Sequence, residues 1–395
     1  MRTPDFRSKR WLSEHRDGWC EWVSGPNSTR LERMDRLSQA VTNLTHHVIS
    51  AGGAPGVAAA LPTTLKKCNE LAFDSEDETL AYSVWHLIER YARVLQVLDG
   101  LVRSGDVPLR KTRLTALEVG AGPMPALHAV RDFYADLTQW SLTTSPPPPI
   151  VEATQLYTLD RAPAWGHFNH IISEQLMGLG DGSGPHKFAM DFLDFQSFSV
   201  REAHRDAVES AATRMHTEAL EWGESLTLGQ ARNQIGSAHG GPPSALDLII
   251  VCNFLTQTSM TSQFEAELAE LARSLTPGGV LVMIGSASEQ YDAIFDSLDA
   301  IVTRTGAVTR LTPRRRILRI NSDLGVRVTH ALVTALQDIE AGDMSAFDGV
   351  RDDLPGDVRH PGRADVRLPD FRIALFKNEG VGAARPHGAR AARPA

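Results

Sequence analysis

The chain has 395 residues, of which 42% are hydrophobic and 22% charged, and its formal net charge at pH 7 is −8. This composition is typical of a globular protein, and the excess of acid argues against a dedicated nucleic-acid binder, whose footprint is usually basic. Cys20, Cys68 and Cys252 are widely separated and form no Cys-x-x-Cys pair. That spacing excludes a disulfide framework and a cysteine-rich metal site, and we expect no bound metal.

The N-terminus carries no targeting signal of the secretory type. Its first ten residues are polar and charged, without the apolar core that a secretory signal contains. No apolar run approaches the roughly 20 residues that a membrane helix needs. We therefore expect a cytoplasmic protein that makes no membrane contact.

Two helices are predicted before residue 110. The first follows a capping segment, Asn27–Arg30, and places apolar residues three or four positions apart from Leu31 to Val48. The second begins at the acidic segment Asp74–Asp77, which suits a helix N-terminus, and continues to Leu98. We interpret residues 1–110 as a helical region that either caps the next domain or forms a homodimer contact.

From Leu114 onward strand and helix patterns alternate, which predicts βαβ units and a mostly parallel sheet. The predicted strands are Leu114–Val119, Thr154–Leu159, Lys187–Phe192, Asp247–Asn253, Val280–Ile284, Arg316–Ile320 and Phe371–Phe376. The predicted helices are Ala126–Leu137, Trp165–Met177, Val200–Trp222, Gln263–Ser274, Glu289–Thr303 and Val328–Glu340. The fold class is therefore α/β, a Rossmann-like, doubly wound, mostly parallel seven-stranded sheet with an N-terminal helical region.

Two further boundaries complete the predicted domain organisation. The α/β domain spans 111–379 and contains an insertion at about 196–244, which is predicted to be helical to Trp222 and to loosen through Gly223–Pro243. Residues 380–395 are rich in Ala, Arg, Pro and Gly without an apolar period. We expect them to form a disordered tail.

The segment Leu114–Leu127 carries a possible ligand site, because it combines a strand, a glycine turn and a helix start. Open α/β sheets bind nucleotides at such a turn. A dinucleotide oxidoreductase has a third small residue where this chain has Pro125, which disfavours a nicotinamide cofactor. A glycine turn without any ligand is the alternative.

The pattern Glu-x-Gly-x-Gly-Pro at Glu118–Pro123 resembles motif I of class I S-adenosylmethionine (SAM) methyltransferases. Leu275–Gly279 resembles the Leu-x-Pro-Gly-Gly turn of that family, and the resemblance covers about 114–376. It implies SAM as cofactor and a set of residues that border it, namely Glu118, Gly120, Ala121, Gly122, Pro123, Asp160, Arg161, Asp191, Phe192, Asn253 and Phe254.

Within that set, three roles follow from the resemblance. Asp160 accepts hydrogen bonds from the ribose hydroxyls, which one carboxylate is able to do for both at once. Asp191 contacts the adenine amino group, with Phe192 beside the ring, and the strand that ends at Asn253 lies under the transferred methyl. If Asp160 is not the ribose acid, Glu152 is the alternative.

The residues after the fourth strand of the sheet narrow the choice of methyl acceptor. Asn253 is followed by Phe-Leu-Thr and not by the two prolines that base and glutamine amino-methyltransferases carry there. Cys252 lies inside an apolar strand, so we interpret it as a core residue and not as a cytosine-C5 nucleophile. No side chain is identified as a catalytic acid or base, and none is needed unless the acceptor is protonated.

Several other residues have a plain packing interpretation. We interpret His128, His167 and His170 as surface or core histidines. The helix with Tyr82, Trp85, His86, Tyr91 and Arg93 is interpreted as an amphipathic helix that packs on the sheet.

Three hypotheses for function remain ahead of a fourth, the nicotinamide oxidoreductase that Pro125 disfavours. The favoured one is SAM-dependent methylation of oxygen, nitrogen or carbon on a small, natural-product-like molecule, because the chain is acidic and has no base-methylation motif. The second is an RNA or protein methyltransferase whose acceptor docks on the N-terminal helices and Arg314–Arg316. The third is a non-catalytic binding or scaffold protein with the same fold.

Overall fold

The structure is a computed structural model that describes residues 6–67, 73–109, 114–144, 154–162, 164–179, 187–190, 200–221, 225–239, 246–313, 316–342 and 368–380. Its strands are β1 Leu114–Val119, β2 Thr154–Leu159, β3 Lys187–Met190, β4 Leu246–Cys252, β5 Leu275–Ser286, β6 Thr309–Arg310, β7 Arg316–Leu318 and β8 Phe371–Lys377. Its helices are α1 Phe6–Ser24, α2 Arg30–Ser50, α3 Ala54–Lys67, α4 Glu76–Ser104, α5 Pro125–Ser141, α6 Ala164–Gly178, α7 Val200–Glu221, α8 Leu228–His239, α9 Thr258–Gln263, α10 Glu265–Arg273, α11 Gln290–Arg304 and α12 Ser322–Gly342.

The strands form one sheet in the order β3-β2-β1-β4-β5-β8-β6, with β7 also paired to β8. Strands β1 to β5 are parallel to one another, and β8 is antiparallel to β5. β6 pairs with the Phe376–Lys377 end of β8 and β7 with its Phe371–Ile373 end. The eight described strands thus occupy seven positions in the sheet, because the short strands β6 and β7 both pair with β8 at its outer edge. The predicted mostly parallel, doubly wound sheet is confirmed, whereas β6 was not predicted.

Apolar residues cover both faces of the sheet. Along β1, Leu114 and Ala116 belong to the cluster under α4, α5 and α6, whereas Leu117 and Val119 belong to the cluster under α10 and α11. This alternation follows from the two-residue period of a strand. It also places Glu118, which has the parity of Ala116, on the α5 face of the sheet.

The N-terminal helices share their apolar core with the sheet. Leu87 and Leu98 of α4 lie in the same cluster as Leu248 of β4 and Leu336 of α12. α4 packs against α3, α5 and α12, and α12 packs against α2. Helices α1 to α4 therefore form, with α12, a layer over the sheet. Among the described residues, no helix is both long enough and apolar enough for a bilayer span.

Helices α1, α3, α8 and α9 were not predicted. α3 begins at Ala54, directly after Gly52 and Gly53, and contains Pro62. The prediction of irregular structure through 223–243 was wrong for 228–239, which form α8. Thr227 and Gln230 cap the N-terminus of this helix. The Gln230 N–H donates to Thr227 Oγ1 at 3.2 Å, and the Thr227 N–H donates to Gln230 Oε1 at 2.9 Å. This reciprocal capping pair stabilises the first turn of a helix. The predicted tail beyond Gly380 lies outside the described residues.

Buried ion pairs connect the N-terminal helices to one another and to α5. Arg30 of α2 donates to both carboxylate oxygens of Asp99 on α4, at 2.6 and 2.9 Å, and Trp19 of α1 donates to the same carboxylate at 3.1 Å. On α5, Asp136 accepts from Thr29 at 3.0 Å. Buried charges remain favourable only when they are paired, so these bonds define how α1, α2, α4 and α5 pack.

Arg30→Met tests this network. The variant leaves Asp99 as a buried carboxylate without its cation, so we expect the free energy of unfolding to fall by about 3–5 kcal/mol. Arg304→Met is the matched control, because Arg304 and Glu265 form an exposed ion pair that contributes little. Urea denaturation measures both variants. Equal and small losses would show that the buried pair contributes no more than the exposed one.

Candidate functional site

The candidate site lies at the carboxyl ends of β1 and β4, which are neighbours in the sheet. The chain leaves β1 into α5 on one face and leaves β4 towards α10 on the other face. Ligands of open α/β sheets bind at such a reversal of strand order. The segment Gly120–Met124, called the glycine turn below, borders it from β1, and Asn253 and Phe254 border it from β4.

The carboxylate of Glu118 occupies the N-terminus of α5. Its Oε1 accepts the Ala126 N–H at 3.1 Å and its Oε2 accepts the Leu127 N–H at 3.0 Å. Burial raises the pKa of Glu118 to about 8, although both hydrogen bonds and the charge of Arg90 act to lower it. Glu118 thus satisfies two of the N–H groups that a helix start leaves without partners.

Every backbone N–H from Gly120 to Leu127 has an acceptor within 3.2 Å. Besides the two that Glu118 takes, the donors are Gly120 and Ala121 to Leu159 O, Gly122 to Asp160 Oδ2, and Met124 to Ala121 O. Pro123 and Pro125 have no N–H. Phosphate groups bind at helix N-termini through unpaired N–H groups, so this turn is not built for a pyrophosphate.

Asp160 follows β2 and connects that strand to the glycine turn. Its Oδ2 accepts the Gly122 N–H at 2.8 Å, and its Oδ1 accepts the Ala162 N–H at 3.0 Å. Burial raises the pKa of Asp160 above its usual value, against the opposing effect of these bonds and of a backbone bond from Arg161. Each carboxylate oxygen has a second lone pair, so Asp160 retains capacity for a ligand hydroxyl.

Two aromatic rings lie against the glycines of the turn. A Cβ added at Gly120 would lie 2.5 Å from Phe254, and one added at Gly122 would lie 3.5 Å from Trp165. Both glycines also have positive φ angles, 64° and 50°, which disfavour any residue with a side chain. Glycine is therefore required at both positions by backbone conformation, and at Gly120 by space as well.

Three residues other than glycine have positive φ angles in the described part of the chain, and all three neighbour this site. Met124 ends the glycine turn, Asn253 follows β4, and Phe73 precedes α4. The Phe73 ring lies 5.0 Å from the ring of Trp165, which in turn contacts Gly122. Backbone strain of this kind concentrates at functional sites, so its distribution supports a site at the glycine turn.

Helix α4 contributes buried charged groups to the same region. Arg90 lies over the ring of Tyr82 at 4.8 Å, and Arg93 forms an ion pair with Glu89. Burial raises the pKa of the Cys252 thiol to about 12, so this cysteine stays protonated. The prediction that Cys252 is a core residue is confirmed.

The histidines noted in the sequence have ordinary environments. His128 is completely buried within α5. His167 and His170 are exposed on α6, where His167 lies 3.5 Å from Glu76 and His170 lies 3.3 Å from Glu174. Their interpretation as core and surface residues is confirmed. Burial, followed by the charge of Arg93, lowers the pKa of His86 to about 4, so its imidazole is neutral near pH 7.

Of the predicted site residues, Glu118, Gly120, Ala121, Gly122, Pro123, Asp160, Asn253 and Phe254 lie around the glycine turn and the end of β4. Arg161 is exposed beside Asp160. The predicted adenine contacts Asp191 and Phe192, the alternative acid Glu152 and the basic residues Arg314 and Arg315 lie outside the described residues.

Two residues at the turn were missed, and both lie on α6. Trp165 contacts Gly122, and the side-chain amide of Asn169 donates to Gly122 O at 2.9 Å. Their spacing of four residues places them on one helix face. That spacing was visible in the sequence, but nothing in the sequence indicated which segment the face would contact.

Comparisons with known proteins show similarity to solved structures only. No protein-family model and no curated protein matches the chain. YjhP from E. coli shares 10% identity and a TM-score of 0.31, over 75% of this chain and 99% of that one. Loganic acid methyltransferase with SAH has 8% sequence identity to this chain and a TM-score of 0.37. The match covers 76% of this chain and 95% of that one. CurJ carbon methyltransferase has 12% sequence identity to this chain and a TM-score of 0.31. The match covers 96% of this chain and 72% of that one. Because all three TM-scores are low, we base the function on the geometry of the site.

Glu118→Gln tests the environment of the buried carboxyl. Between about pH 4.5 and pH 8 the unfolded chain has lost this proton while the folded chain keeps it. Unfolding then releases a proton, so the wild type loses stability relative to the variant as the pH rises through this range.

Urea denaturation at a series of pH values measures that difference. Glu289→Gln, at an exposed position, controls for the loss of one carboxylate. Parallel pH profiles for the wild type and Glu118→Gln would show that the carboxyl ionises in the folded protein as it does in the unfolded chain.

Proposed function

We propose that this protein is a SAM-dependent methyltransferase that acts on oxygen, nitrogen or carbon of a small, natural-product-like molecule. The observation that carries the proposal is the occupation of the α5 N-terminus by Glu118. With every backbone N–H of the turn already paired, a pyrophosphate has no donors here. A nucleoside cofactor without a phosphate at this position suits the site better.

The residues at the turn fit SAM in three respects. Asp160 lies at the carboxyl end of β2, where a carboxylate is able to accept from two ribose hydroxyls. The glycines keep side chains off the turn, which allows a ligand to approach its backbone. Asp160 lies near enough to Glu118 to raise the pKa of that carboxyl, and the carboxylate of Asp160 favours a cofactor that carries a cationic sulfonium.

The protein's part in methyl transfer is to position the acceptor and to keep water away. SAM supplies an activated methyl group when bound, so the protein need not provide a covalent catalyst. Helix α4 carries Tyr82 and Arg90, both buried, and the charge of Arg90 acts on Glu118 of β1 and on Cys252 of β4. A packed layer of this kind holds reacting groups in a fixed geometry. A general base is required only for a protonated acceptor, and we assign none.

The acceptor in this proposal is a small molecule, since the net charge is −8 and an RNA acceptor favours a basic surface. A transfer assay that offers radiolabelled methyl-SAM to a metabolite extract and to total RNA separates the two. Label in the small-molecule fraction is the expected result. Label in RNA alone would assign the enzyme to the RNA-methylating class, and no label with intact SAM binding would favour a binding or scaffold protein.

Calorimetric titration with SAM and S-adenosylhomocysteine tests the cofactor. We expect both to bind in the micromolar range. No heat change at ligand concentrations up to about 1 mM, which corresponds to about 4 kcal/mol of binding free energy, would contradict the proposal.

Asp160→Asn tests the placement of the cofactor. The amide retains one acceptor oxygen but no longer accepts from two hydroxyls with full charge, so we expect SAM affinity to fall about tenfold or more. Asp296→Asn, at an exposed position on α11, is the matched control. Equal affinity in the two variants would place the ribose somewhere else.

A further inference from the structure

The peptide bond between Gly122 and Pro123 has one polar group, its carbonyl. Proline supplies no N–H, so this carbonyl is the only atom of the peptide through which a hydrogen bond is able to orient it. Asn169 donates to that oxygen from α6 at 2.9 Å, and the asparagine side chain is buried. On the other side of the same residue, the Gly122 N–H donates to Asp160.

Gly122 needs such a restraint more than most residues do. It has a φ of 50°, and glycine passes between left-handed and other conformations at little cost. A Cβ added at Gly122 would lie 3.5 Å from the ring of Trp165, which is one helical turn before Asn169. α6 therefore borders Gly122 in two ways, with the aromatic ring of Trp165 and with a directed hydrogen bond from Asn169.

We propose that Asn169 is a positioning residue of the cofactor site. Its amide orients the Gly122 carbonyl and so keeps the Gly122 N–H directed at Asp160. Asp160 is thereby held at the end of β2, where we place the ribose. This inference rests on the proposed function for its effect on SAM affinity, but the restraint on the glycine turn is a property of the protein alone.

The first test is hydrogen exchange by mass spectrometry, which needs no ligand. In Asn169→Leu we expect the amides of Gly120–Met124 to exchange faster than in the wild type, while the amides of β5 stay protected as an internal reference. Asn43→Asp is the matched control, because the Asn43 amide donates to Gln175 near the other end of α6 at 3.2 Å. It should leave exchange in the turn unchanged.

The second test is calorimetric titration of the same proteins with SAM, and of Asn169→Asp. We expect about a tenfold loss of affinity in Asn169→Leu and none in Asn43→Asp. A buried aspartate facing a carbonyl has a raised pKa and regains a donor when protonated. Affinity in Asn169→Asp should therefore recover as the pH is lowered, relative to Asn169→Leu at each pH. A residue that only fills space would show no such recovery.

The outcomes separate the two proposals. A wild type that binds no SAM overturns the proposed function, and the exchange comparison then still decides the role of Asn169. If the amides of Gly120–Met124 exchange in Asn169→Leu at the wild-type rate, the positioning role is overturned, whether or not SAM binds. If Asn169→Leu does not fold, Asn169→Asp and Asn43→Asp are compared by exchange at a pH at which the aspartate at 169 is ionised and has no proton to donate, and the same decision follows.

Discussion

Two backbone N–H groups at the start of α5 and the carboxylate of Glu118 satisfy one another inside the protein. A buried N–H without an acceptor costs about 1–3 kcal/mol, and a buried carboxyl group without hydrogen-bond partners is unfavourable as well. The geometry of the glycine turn follows from this pairing, since the chain has only Val119 to Met124 in which to leave β1 and bring the helix start back over Glu118. Asp160 and Asn169 then orient Gly122 within that short segment.

The helical layer affects the site as well as the stability of the sheet. Glu89, Arg90 and Arg93 are all buried on one stretch of α4. All three act electrostatically on Cys252 at the end of β4, and Arg90 also acts on Glu118 in β1. The guanidinium of Arg93 lies over the ring of Phe371 on β8, 5.2 Å from its centroid, so this stretch of α4 packs on the sheet. The site is therefore bordered by buried polar groups on the α4 side.

Local patterns in the sequence were sufficient for the mostly parallel sheet, although not for the short edge strand β6. The bounds of β1 and β2 were predicted to the residue, because apolar runs between turn residues define a buried strand. The role of Glu118 was harder, since its contact with α5 depends on which face of β1 it occupies. Glu118 lies two positions after Ala116 and therefore on the same face of the strand, and this much was readable from the sequence. The hydrogen bond from Asn169 to Gly122 spans 47 positions, and no local pattern encodes such a contact.

The packing of α12 on α2 has a consequence for how the chain acquires its fold. Arg327 and Asp35 form an ion pair across 292 positions, so the N-terminal layer is completed only by a helix near the other end of the described chain. Contacts of such long sequence separation slow folding. During synthesis, α2 emerges from the ribosome well before α12, so the part of its surface that packs on α12 remains uncovered in the interval, although α4, α5 and α6 have already emerged. Transiently exposed apolar surface of this kind favours aggregation, so the order of the helices prolongs the exposure of α2.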